Sequence, residues 1–204
     1  MCLTSYYRWY PKTSPIPVKD GIRVRSRRGA IGEQWWSKQW VDLLSTFGWS
    51  SRLDRGKRYA RKGQVMEFRI TPGEVTARVQ GSMKTPYRVT IQISPFSSEK
   101  WDHILDILAG KALYAAKLLA GEIPHTIGDA FSEAGIELFP KTRQEIRASC
   151  SCPDYAVPCK HIAAVHFVLA EAFDQDPFMI FTLRGLPRND LMACLLYTSD
   201  AADE

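Results

Sequence analysis

The sequence predicts an α+β fold: a small antiparallel sheet with helices, followed by a ββα unit held together by clustered Cys and His. Three observations carry that reading. Apolar and polar residues alternate with period two in three consecutive runs between Met66 and Ile93. Apolar residues recur at helical spacing on both sides of those runs. Three cysteines and a histidine fall between Cys150 and His161, directly before a strongly apolar stretch.

Residues 1–30 read as a basic irregular arm. Pro11, Pro15 and Pro17 interrupt any regular element, and Arg23, Arg25, Arg27 and Arg28 crowd before Gly29. Residues 31–135 make an α+β N-terminal region. Its first helix spans about Gly32 to Phe47, with Trp36, Trp40, Leu43, Leu44 and Phe47 on one face and Gly48 as a stop. Arg52, Arg55, Lys57, Arg58, Arg61 and Lys62 surround Tyr59 in a second basic stretch, a short helix or turn.

The alternating runs follow. Met66, Phe68 and Ile70, then Val75, Ala77 and Val79, then Tyr87, Val89, Ile91 and Ile93 supply the apolar face of a three-stranded meander. Thr71-Pro72-Gly73-Glu74 is the first turn, with Gly73 free to take positive φ. Arg69, Arg78 and Arg88 fall on the opposite, polar face.

Ser97 or Ser98 can cap a helix with Trp101, Ile104, Leu105 and Leu108 on one stripe. A second helix occupies residues 111–120, and a third opens at Pro124 and stops at Gly135. Residues 136–175 form the Cys/His unit, with short strands at Ile136–Phe139 and about Gln144–Ala148 and a helix from about Pro158 to Ala172. Short helices fill residues 176–193.

Residues 194–204 resemble the translation of a sequencing adapter at every position. They are set aside as a non-native tail expected to pack poorly, with the natural chain continuing past Ala193. Of the five cysteines, that leaves Cys2, read as a terminal thiol, and the cluster of Cys150, Cys152 and Cys159. Clustered cysteines beside a histidine suit a metal better than a disulfide scaffold.

The cluster has the spacing C-x-C-x6-C-x-H. Cys150 and Cys152, at i and i+2, project to one side of extended backbone, and Pro153 and Pro158 bracket a turn that returns the second pair. An i,i+2 pair inside a helix would diverge. Cys159 must therefore lie at the turn into the helix and His161 in its first turn. Three thiolates and one imidazole suit one zinc ion in a closed, structural tetrahedron. His166 is read as a core-edge or surface residue, His103 and His125 as structural or solvated, and Asp154 as either a turn former or an outer-shell acceptor.

The motif resembles the SWIM-type zinc finger at all four ligand positions: Cys150, Cys152, Cys159 and His161. Gly32–Trp36, Gly56–Gly63 and Ala115–Glu122 are also similar to pieces of bacterial SWIM proteins, so the resemblance spans roughly residues 20–193. It implies binding to DNA or protein, and companionship with a Swi/Snf-type helicase.

Charge gives the resemblance a direction. Residues 1–100 carry 19 Lys/Arg against 7 Asp/Glu, and residues 101–204 carry 8 against 15. A basic half beside Trp35, Trp36, Trp40, Trp49 and Tyr59 suits a polyanion, although Trp at helical spacing is more often core. Arg55, Lys57, Arg58, Arg61 and Lys62 with Arg69, Arg78 and Arg88 are the candidate nucleic-acid contacts. The rival is a protein–protein adaptor whose basic half is only a solvated face. No catalytic constellation is present, so no enzyme is expected. Without an apolar run long enough for a membrane or a secretory signal, the expected setting is cytoplasmic.

Overall fold

The computed structural model describes residues 14–46, 48 and 50–201, with backbone alone at 197–201. Cys2, Pro11, Phe47, Trp49 and the last three residues of the expected tail lie outside the described residues. The chain is α+β. Helices α1 (Trp35–Ser45) and α2 (Ser50–Lys62) precede strands β1 (Val65–Thr71), β2 (Glu74–Val79) and β3 (Tyr87–Ile93). Helices α3 (Ser98–Ala109), α4 (Ala112–Leu119) and α5 (Ile127–Glu133) follow. Strand β4 (Ile146–Cys150) then leads to α6 (Lys160–Gln175), α7 (Phe178–Leu183) and α8 (Arg188–Ala201).

The meander pairs as its alternation requires. Val75, Ala77 and Val79 of β2 stand opposite Ile91, Val89 and Tyr87 of β3 and form the inner face. Gly73 takes φ 75° in the two-residue turn between β1 and β2. A one-residue bulge between Met66 and Arg69, with Glu67 at φ 51°, breaks the simple alternation of β1. Val65 rather than Met66 therefore faces Val79 in the core, while Met66 stands opposite Arg78.

The expected strand at Ile136–Phe139 is absent. Leu138 and Phe139 are instead buried in irregular backbone, with the Phe139 ring against Trp35 and Phe173. Strand β4 has no hairpin partner of its own. It adds to β3 and makes one four-stranded antiparallel sheet in the order β1-β2-β3-β4.

Helix α6 lies at the centre and is buried along nearly its whole length. It contacts all four strands on one side and α1 and α2 on the other. The approach of α2 is close because Gly56 has no side chain: a Cβ there would lie 2.5 Å from the Ala163 Cβ. Asp174, near the end of α6, fastens the start of α1 by accepting from the Glu33 and Gln34 N–H groups and the Ser37 hydroxyl. These acceptors satisfy donors that a helix start leaves unpaired.

Helix α8 crosses residue 194 without a break. Leu191 and Leu195, one turn apart, are both buried, with Leu195 1% exposed. The first part of the expected tail thus packs into the core.

Candidate metal centre

Each ligand is placed by a different local device. Cys150 is the last residue of β4, opposite Val89. Beyond it the pairing continues, since Ser151 N–H donates to the Arg88 carbonyl at 3.0 Å and Arg88 N–H donates to Ser151 Oγ at 3.0 Å. This hold on the extended backbone brings Cys152 to the same side. The following loop is tied at both ends. Asp154 accepts from the Ala156 N–H at 3.1 Å and from Arg52 of α2 at 3.2 and 3.3 Å. The Arg143 guanidinium donates to the Val157 carbonyl at 2.6 Å, ahead of a cis Val157–Pro158 bond.

Asp154 is therefore both turn former and outer-shell partner. Partial burial opposes its ionisation, but Arg52 and the Ala156 N–H outweigh it and hold the carboxyl below its usual range. Cys159 caps α6, with its sulfur accepting from the Ile162 N–H at 3.5 Å, and His161 occupies the first turn. The placement argued from the i,i+2 spacing is the one found.

The four ligand atoms lie within 4.8 Å of one another. His161 Nδ1 is 3.8 Å from the Cys150 sulfur and 3.9 Å from that of Cys159. Zinc–sulfur bonds of about 2.3 Å and a zinc–nitrogen bond of about 2.0 Å give tetrahedral edges of about 3.8 Å between sulfurs and about 3.5 Å from sulfur to nitrogen, so the imidazole needs to close in by a few tenths of an ångström and the widest pair by about 1 Å. Three sulfurs and one imidazole nitrogen are the donor set that structural zinc prefers. Hydrogen bonding from Cys150 pulls the Cys159 thiol down against the opposing effect of burial, helped by His161 and the Ile162 N–H. The same pairing pushes Cys150 up, and burial pushes Cys152 up. Three thiolates so close are stable together only around a positive ion. Cys150, Cys152, Cys159 and His161 form a structural zinc site, with all four positions of the tetrahedron supplied by protein.

The imidazole is fixed by rings. Tyr59 of α2 and Tyr87 of β3 flank His161 at centroid distances of 5.4 and 4.6 Å. Its Nε2 is buried without a hydrogen-bond partner, which leaves Nδ1, on the thiol side, as the ligand atom. No sequence signal singles out Tyr87 for this role, because it sits in the apolar set of a strand. His166 is completely buried against Trp40 rather than at a core edge, and burial pushes it down to about 3. His103 and His125 are exposed, the latter stacked on Trp36.

The candidate nucleic-acid contacts divide between two places. Register sets Arg69, Arg78 and Arg88 on the outer sheet face, Arg78 directly opposite Arg88, and adds Arg147 of β4 opposite Gln92. Glu67, which pairs with Arg78 at 3.6 Å, and Glu74 dilute that face. Arg55, Lys57, Arg58, Arg61 and Lys62 belong to α2, in the helical layer beyond α6. There they meet the arm. Ile22 bridges to Val65, the Val24 N–H donates to the Ala60 carbonyl, and Arg61 donates to the carbonyls of Ser26 and Gly29 at 3.0 and 2.6 Å.

Comparison with known proteins agrees with the site. The SWIM zinc finger family matches residues 135–167, which hold all four ligands. A mycobacterial relative, Uncharacterized protein Rv2102 of Mycobacterium tuberculosis (strain ATCC 25618 / H37Rv), is 52% identical over 188 residues, or 92% of this chain and 68% of that protein. No solved structure matches the chain. Fold and site together define a SWIM zinc-finger protein. The chain belongs to that family and, over nearly its whole length, to one family with the mycobacterial protein.

Proposed function

We propose that this protein is a nucleic-acid-binding SWIM module, DNA being its first candidate, which catalyses no reaction and works beside a Swi/Snf-type helicase in the cytoplasm. One observation carries the nucleic-acid reading: the arm packs against α2. Residues 21–30 contain four arginines and no acid, and α2 contains six Lys/Arg against Asp54. Laid together they make a basic ridge, with Arg27, Arg28, Arg58 and Lys62 exposed. Such a concentration of cations attracts phosphates and releases their counterions. The non-enzymatic reading is supported by the zinc site, which keeps no open position for water or substrate. The helicase and the cytoplasmic setting rest on family resemblance and sequence character alone. Among the described residues, no helix is long and apolar enough to cross a membrane.

Labelled oligonucleotides titrated between about 50 and 200 mM salt test the proposal. Affinity should fall steeply as salt rises. Arg27/Arg28/Arg58/Lys62→Ala should weaken binding at least about tenfold and flatten the salt slope by roughly 0.9 for each phosphate no longer neutralised. The sheet variant Arg69/Arg78/Arg88→Ala is the comparator, and a larger loss there would move the interface to the sheet. No binding at low salt would sink the nucleic-acid reading and favour the protein adaptor.

A further inference from the structure

Arg52, Arg55, Arg58 and Lys62 recur on α2 at intervals of three, three and four residues, so they share one helical face. The stripe is about 15 Å long at 1.5 Å per residue. One end adjoins the arm, where Arg61 binds the carbonyls of Ser26 and Gly29. The other end adjoins the zinc loop, where Arg52 grips Asp154. The next residue is Tyr155, 88% exposed, the most exposed large apolar side chain among the described residues.

Tyr155 contributes no burial to the fold, yet its backbone is firmly held. Asp154 is bonded to Arg52 and to the Ala156 N–H, the Val157 carbonyl accepts from Arg143, and Cys152 and Cys159 anchor the loop to the zinc site. A rigid loop that presents a bare aromatic ring at the end of a cationic stripe combines the two features used to bind unpaired strands, a stacking platform and a phosphate track. A paired base offers its face only to its neighbours in the stack, so the ring favours unpaired nucleotides.

We infer that Tyr155 stacks on a base of single-stranded nucleic acid whose backbone follows Arg55, Arg58 and Lys62, while Arg52 stays engaged with Asp154 and holds the loop. This rests on the nucleic-acid reading above and specifies its substrate. Fluorescence anisotropy with mixed-sequence single-stranded DNA, single-stranded RNA and duplex DNA tests it at low salt. Tyr155→Ala should weaken single-strand binding roughly 5- to 100-fold, with duplex binding, salt slope, zinc content and melting temperature unchanged. Tyr155→Phe and Tyr155→Trp should retain affinity, since both keep a stacking ring. The two single-stranded probes separate DNA from RNA as the natural source.

Wild-type binding to single strands with Tyr155→Ala at full affinity would overturn the inference and leave the ring to a protein partner. Binding to duplex alone would also overturn it while leaving the nucleic-acid reading intact. No binding to any probe would remove both.

Discussion

At the scale of single residues, the zinc ligands are the most legible feature of the chain. Their chemistry is local: four donors within twelve residues, two prolines, and a helix that puts Cys159 at its cap and His161 in its first turn. Replacing Cys159 by Ser or His161 by Ala should abolish stoichiometric zinc and cost more than about 4 kcal/mol, because a structural metal supplies folding energy directly. Zinc analysis with urea unfolding checks this. A zinc-free preparation with unchanged unfolding would contradict it. His166 is not legible, because its neighbour Trp40 lies far off in sequence. Its folded pKa of about 3 lies below the ordinary 6.5, so the folded state disfavours the proton that the unfolded chain accepts. Its contribution to stability is complete above 6.5 and is lost as pH falls from there towards 3. The urea midpoint of wild type should drop between about pH 7.5 and 5.5 by more than that of His166→Leu, which lacks the titrating group. Equal drops in both proteins would show that His166 plays no part.

At the scale of elements, strands and helices with a strong local period are readable, and their partners are not. The three strands of the meander announce themselves by alternation, and the turn between β1 and β2 by Pro72-Gly73. Nothing in the sequence around residue 148 says that it will pair with Ile91, more than fifty residues earlier. Ile136–Phe139 misleads because a short apolar run looks alike in a strand and in buried irregular chain. The Asp174 bond to the start of α1 is equally hidden, since it spans about 140 residues. The packing of α2 on α6 rests on Gly56, whose lone hydrogen admits Ala163. Gly56→Val should cost about 2–3 kcal/mol by overpacking, a loss that helix propensity does not offset. Thermal melting of the zinc-loaded protein measures it, and an unchanged midpoint would mean that the two helices separate freely.

At the scale of the whole molecule, the charge imbalance visible in the composition becomes a place. The eight candidate cations read as one patch along the sequence, but the central position of α6 divides them between the outer sheet face and the helical layer. The arm, irregular in sequence, reinforces the second group. That arrangement is illegible beforehand because it depends on Arg61 reaching back to Ser26 and Gly29.

The joining of β4 to β3 has one more consequence. Among the described strands, β4 is the last in the sheet, and zinc fastens the chain at its final residue. Strand β3 is far more apolar, with Val89, Ile91 and Ile93 on one face. Metal loss would let β4 peel away and bare the hydrogen-bonding edge of β3, a template on which another chain can add. Bound zinc should thus guard the protein against self-association as well as hold its fold. The same ligand variants, followed by light scattering, should aggregate before they have fully unfolded.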